Sequence, residues 1–280
     1  MKSRRKKKTS PHPMWPMLVI ALLHETNSVQ ATTIVAVMTD ATVSIAADSK
    51  VTLLRGQDAG VRVCKIHQCG RLVVALESRI GWGEGFRTDS VLDGRCRATA
   101  RESGLGHVQS LTGFLKEQLG RHIQAHPAEV RDDGKPDPFV SIWFIGFDGQ
   151  KPFVARRTFV VHLDGAVEVK PEDRFAYPNR RVVLAEGGVL ADYESHPEYA
   201  SMTDQFLLQT LIDDQAKLTP GTGGPVDIVR VTSAGAEWIQ KKDECAEIEG
   251  DLKMPLRTIV PFITPAPRAP LNLEPGPPRR

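Results

Sequence analysis

The chain has 280 residues, 41% apolar and 25% charged, which suits one large core or two small ones. Its formal charge of +2 belongs to the first 31 residues, which carry six basic side chains and one acid; the other 249 carry 30 basic and 33 acidic groups, a net of −3. That balance argues against nucleic acid or an anionic membrane surface as partner.

The chain opens with Lys2 and the basic run Arg4 to Lys8, followed by a short apolar run, Met17 to Leu23. That run is too short to span a bilayer and no later segment is long enough, so no stable membrane insertion is expected. Small side chains at Val29 and Ala31 flank Gln30. Residues 1–31 therefore read as a secretory signal peptide, and the mature protein is expected to be exported, periplasmic or extracellular. No apolar pair follows Arg4-Arg5, so a twin-arginine route has little support.

Ile34 to Val37 and Val43 to Ala47 are short β-rich runs joined by Thr39-Asp40-Ala41, a hairpin pattern. Val61 to His67 and Leu72 to Leu76 form a second pair around Gly70. From Gly83 to Ala128 the pattern turns helical, with Val108, Leu111, Leu115 and Leu119 at helical spacing and His126-Pro127 as the stop. Val140 to Phe147, Phe153 to Val161 and Ala166 to Val169 read as strands separated by the turn signals Asp148-Gly149 and Asp164-Gly165. A further helix starts near Ser201 and carries Phe206, Leu207 and Leu211. Val226 to Thr232 and Glu237 to Gln240 make the last strand pair. Strands, two helices, strands, two helices, strands is an order that two antiparallel sheets between helix layers satisfy. The expected fold is α+β, a four-layer αββα sandwich over residues 32–250. Residues 251–280 form a proline-rich tail, eight of the last 26 residues being proline, which is incompatible with a regular ladder or helix.

Cys64, Cys69, Cys96 and Cys245 allow three disulfide pairings in an exported chain, and free buried thiols are an equal alternative.

Cleavage after Ala31 would make Thr32 the first residue. An N-terminal threonine combines a hydroxyl nucleophile with an amine base, and an unperturbed α-amine titrates near pH 8. Sixteen positions on, Ala46-Ala47-Asp48-Ser49-Lys50-Val51-Thr52 ends a strand in an acid. Lys65-Ile66-His67 follows, and Ile145-Gly146-Phe147-Asp148 and Gly223-Gly224-Pro225-Val226-Asp227 stand further on.

With Thr32-Thr33-Ile34-Val35 at the start, these segments resemble the proteasome β-type subunits of the N-terminal nucleophile hydrolases over roughly residues 32 to 240. The lysine segment comes one residue later than is usual in that family, as a loop insertion near Gln57 to Gly60 would explain. The resemblance implies an exported threonine-type amide hydrolase, with a peptide or small amide as substrate. It implies catalytic roles for Thr32, Asp48 and Lys65, no metal and no cofactor, and a homo-oligomeric ring. Thr32 would attack the carbonyl, Lys65 would favour the alkoxide, and Asp48 would hold Lys65 charged and oriented. Two alternatives accompany it: a non-catalytic, proteasome-like structural or binding subunit, and an acylase acting on a small amide.

Three segments depart from the family pattern. Ala185-Glu186-Gly187-Gly188 stands where a serine-bearing segment supports the terminal amine, and Glu186 near that amine would raise its pKa. Thr219-Pro220-Gly221-Thr222 lacks the usual acid, while Thr222 offers a hydroxyl in place of the serine. Glu77-Ser78-Arg79-Ile80-Gly81 replaces a small oxyanion loop in which a backbone N–H near Ser78 and Arg79 can still serve.

Elsewhere, His122 and His126 sit four apart on a helix without a third ligand, so a solvated face is the better reading than a metal pair. Gly221 to Gly224 lacks a Walker lysine. Trp82, Trp143 and Trp238 read as packing residues.

Overall fold

The structure is a computed structural model that describes residues 33–52, 58–62, 64–78, 81–82, 86–99, 102–127, 137–185, 187–219, 222–243 and 245. The leader 1–31, Thr32 and the tail 251–280 lie outside the described residues.

The chain begins with β1 (Ile34–Met38) and β2 (Thr42–Ala47), followed by β3 (Lys50–Thr52), β4 (Asp58–Arg62), β5 (Ile66–Cys69), β6 (Leu72–Ser78), β7 (Gly81–Trp82) and β8 (Phe86–Arg87). Helices α1 (Thr88–Ala98) and α2 (Gly104–Ala125) lead into β9 (Asp137–Asp148), β10 (Lys151–Val161), β11 (Val167–Phe175) and β12 (Val182–Ala185). Helix α3 (Gly187–Ser195), a 3₁₀ turn (Pro197–Ser201), α4 (Asp204–Leu218), β13 (Asp227–Thr232) and β14 (Gly235–Gln240) complete it.

Two five-stranded sheets result, ordered β12-β1-β2-β13-β14 and β11-β10-β9-β6-β5, and the adjacent strands in both are antiparallel. β1 shows why its sequence is apolar throughout. Successive side chains of a strand point to opposite faces, and both faces of β1 are covered. Ile34, Ala36 and Met38 pack with Val73, Ala75, Trp143 and Ile145 of the other sheet. Val35 and Val37 pack with Leu207, Leu208 and Leu211 of α4. A third cluster joins Val108, Leu111, Leu115 and Leu119 of α2 to Val74, Leu76, Ile142 and Phe144. The helical spacing of those four residues is thus realised, and α2 ends at Ala125, next to the expected stop.

The expected four-layer αββα sandwich of the N-terminal nucleophile hydrolase type is corrected by this architecture. The chain is mainly antiparallel β, with two five-stranded sheets and four α-helices among the described residues. The sequence reading undercounted strand. β3 with β4 and β7 with β8 form two-stranded ribbons outside both sheets, and of their residues only Val61 and Arg62 fall in an expected strand. β11 runs on to Phe175 through a mostly exposed, polar stretch with no apolar alternation to announce it. The strand expected over Val61 to His67 is also divided. β4 ends at Arg62 and β5 starts at Ile66, so Lys65 stands just before a strand. Helix α4 starts later than expected, its N-cap Thr203 accepting a bond from Phe206 N through its side chain.

Candidate active site

The end of β2, the central strand of the first sheet, places Asp48. Ile34 pairs with Ala47 in the β1–β2 register. The ladder continues one step further, with Asp48 N donating to Thr33 O at 3.3 Å. The Asp48 carboxylate turns back to the same residue, and its Oδ1 accepts from Thr33 N at 2.9 Å. Asp48 is fully buried.

Lys65 comes from the other sheet. Its carbonyl accepts from Leu76 N at 3.0 Å, which extends the β5–β6 pairing by one residue. Its side chain is 1% exposed and crosses to the first sheet, where Nζ donates to Asp48 Oδ1 at 2.9 Å and to Lys50 O at 2.8 Å. Burial pulls the Lys65 ammonium down from 10.5 to about 8, against the opposing pull of Asp48.

Asp48 Oδ2 has its own donors, Gly223 N at 3.0 Å and Lys50 N at 3.2 Å. Gly223 adopts φ +120°, a conformation that a side chain would strain, and this aims its N–H at the carboxylate. Its carbonyl in turn accepts from Lys50 N at 3.1 Å. The carboxylate thus holds four donors from four segments: the residue before β1, the first residue of β3, the residue before β5 and the residues before β13.

Of the remaining expected site residues, Thr222 is buried and belongs to this neighbourhood through the chain. Its hydroxyl donates to Thr219 O at 2.9 Å, and the next N–H, that of Gly223, makes the contact with Asp48. Gly187 is the first residue of α3, just beyond Ala185, which pairs with Val35. Ser78 closes β6, opposite Val140. Thr32, Arg79 and Glu186 lie outside the described residues. Asp48 and Lys65 are therefore brought together as expected, and Thr33 joins them.

A second buried charge pair, not anticipated from the sequence, lies alongside. Asp227 is fully buried in β13, opposite Ala47, the residue before Asp48. Its Oδ1 accepts from Lys242 N at 3.0 Å, and its Oδ2 pairs with Lys242 Nζ. The cysteines form two disulfides, Cys64–Cys245 and Cys69–Cys96. The first ties the residue before Lys65 to the segment that carries Lys242. Cys64, Asp227 and Cys245 bring two sulfurs and a carboxylate oxygen within 4.8 Å of one another. The disulfide uses both sulfurs, so the oxidised cluster offers a metal only the carboxylate that Lys242 already holds. The rings of His122 and His126 lie tilted against each other, 4.6 Å between centroids, and the His122 ring also lies 5.2 Å from that of Phe86.

A separate cavity of about 280 Å³ lies toward the far end of β1, where Met38, Trp143, Val154 and Leu184 line it; it shares no residue with the Asp48–Lys65 cluster. Among the described residues no helix is long and apolar enough to cross a membrane. No protein-family model matches the sequence, and no curated protein is similar enough to count as a relative.

Proposed function

We propose that the protein is an exported amide hydrolase whose nucleophile is the hydroxyl of Thr32, freed at the chain terminus by removal of residues 1–31. One observation carries this reading. A buried carboxylate, Asp48, holds the backbone N–H of Thr33, the residue that follows the proposed nucleophile, and the same carboxylate oxygen accepts from the buried Lys65 ammonium. Apolar packing does not need them there, and charge-stabilised acyl transfer does.

In the proposed reaction Thr32 Oγ attacks the amide carbonyl. The α-amine takes the hydroxyl proton, directly or through a water, and the Lys65 ammonium favours the oxygen's developing negative charge. The C–N bond then breaks, the proton passes to the leaving amine, and an acyl ester remains on Thr32. Water, deprotonated by the same amine, attacks the ester and restores the hydroxyl. Asp48 keeps Lys65 in place throughout. The two disulfides suit an oxidising compartment, in keeping with the leader.

The test is the mature N-terminus together with covalent labelling. Protein recovered from an exporting host should begin at Thr32. An epoxyketone, which reacts with hydroxyl and amine together, should form an adduct on that residue. The adduct should be absent in Thr32→Ala and strongly reduced in Lys65→Ala. A mature start elsewhere, or labelling that survives Thr32→Ala, refutes the assignment.

A further inference from the structure

Four buried charges lie in a chain of contacts at this end of the molecule. Asp48 and Lys65 form one pair, and Asp227 and Lys242 the other. The pairs are joined by covalent and ladder geometry. Asp227 stands across from Ala47, the neighbour of Asp48. Cys64, the neighbour of Lys65, is bonded to Cys245 with 5.1 Å between the Cα atoms. Cys245 N donates to Lys242 O at 3.1 Å, and Cys245 Sγ lies 3.2 Å from Asp227 Oδ2. The segment after β14 is thus pinned twice, through its disulfide to the residue before Lys65 and through its lysine to β13.

We propose that Asp227 and Lys242, clamped by the Cys64–Cys245 disulfide, are positioning residues for Lys65, a role that rests on the catalytic reading of Lys65 given above. The β5–β6 ladder holds the Lys65 backbone through its carbonyl, which accepts from Leu76 N. The disulfide holds the preceding residue, Cys64, and the second ion pair fixes where the disulfide's far end lies. The same pair acts on Lys65 through charge. The groups that face Lys65 are Asp48 after β2, Asp227 in β13 and Lys242 after β14; Asp48 and Asp227 favour its ammonium, and Lys242 opposes it. Lys242 also opposes the charged form of His67, two residues along β5. Removing Lys242 therefore takes away a repulsion and exposes Lys65 to an uncompensated Asp227. Removing the Asp227 charge does the reverse.

The test reads Lys65 directly, by ¹³Cε NMR titration of lysine-labelled full-length mature protein in the Thr32→Ala background. The Lys65 signal is identified by its loss in Lys65→Arg. In Lys242→Gln the Lys65 midpoint should rise by about one pH unit, and in Asp227→Asn it should fall by a similar amount, as expected for gain or loss of a nearby opposite charge. Lys242→Arg should restore the starting value. If Asp227→Asn fails to fold, Cys64→Ala/Cys245→Ala supplies the second arm: with the clamp open, the Lys242→Gln shift should shrink by at least half. With Thr32 present, the alkaline limb of kcat should move with the NMR midpoint while KM stays within twofold. A Lys65 midpoint unchanged in folded Lys242→Gln overturns the proposal. A shifted midpoint in a protein that hydrolyses no amide upholds the electrostatic link and overturns the catalytic reading instead.

Discussion

Replacing Asp48 by asparagine changes almost no volume, so the result measures electrostatics and donor pairing alone. In the wild type, Oδ1 serves Thr33 N and Lys65 Nζ, each at 2.9 Å, while Oδ2 serves Gly223 N at 3.0 Å and Lys50 N at 3.2 Å. An amide keeps one acceptor and turns the other position into a donor. With the oxygen kept at Oδ1, Gly223 N and Lys50 N face an NH₂ group; flipped, Thr33 N and Lys65 face it. Lys65 also loses the counter-charge that opposes its desolvation. It responds by shedding its proton, which limits the penalty without restoring the lost bonds. Breaking a buried pair from one side costs about 3–5 kcal/mol. For a domain of this size that lowers Tm by on the order of 10 °C. Urea denaturation at pH 7, supported by thermal melts, reads the effect. Lys65→Met in the same background should recover part of the loss, because a neutral partner leaves no buried cation to compensate. A loss in Asp48→Asn below about 1 kcal/mol, the range of exposed ion pairs, refutes the view that this carboxylate organises the site.

Two further outcomes test the packing and charge around it. Burial pushes the His67 imidazole down to about 4, against the pull of Asp89 and Asp93; the unfolded chain then binds the extra proton between roughly pH 6.5 and 4, so stability should fall as pH falls through that window, and in a pH series of urea titrations His67→Gln should flatten this slope, an unflattened slope assigning the loss to other groups. In Gly146→Ala the new methyl would meet Leu72 Cδ2 at 2.7 Å and the Phe153 ring at 3.5 Å, and an overpacked core of this kind loses about 1–3 kcal/mol, which differential scanning calorimetry would register as a lower Tm; an unchanged Tm would show that Leu72 can move aside.

How much of this was legible in the sequence depended on how local the cause was. β1 and β2 were legible because both their faces are largely buried, which leaves two short β-rich, mostly apolar runs with a Thr39 turn between them. α2 was legible because its buried face repeats at helical spacing over 22 residues. β12 has only four residues and no alternation, and α3 follows it almost at once, so neither gives a strong periodic signal. Asp48 and Lys65 were found through spacing and resemblance. The backbone donors at Thr33, Lys50 and Gly223 had no side-chain signature to find. Lys242 was missed because Lys241-Lys242 reads as a solvated pair, and its partner Asp227 is brought to it by a hairpin whose register shifts between Ile228 and Val229. Alternation along a strand does not place such a shift.

The energetics of the charged cluster argue that selection for stability alone did not build it. Two buried ion pairs could in general be replaced by apolar side chains of similar volume at little cost, and often with a gain. Most of the buried surface of both sheets takes that solution, although Glu77 and Arg157 are also buried and paired, with Arg156 and Asp173. Beside the start of β1 two such pairs stand together, Asp48 with Lys65 and Asp227 with Lys242. There the structure accepts a lysine whose ammonium is weakened by burial, a glycine at φ +120° and a carboxylate with four donors. Such costs are characteristic of sites arranged for chemistry, which is what the role proposed for Thr32 would require of the residues beside Thr33.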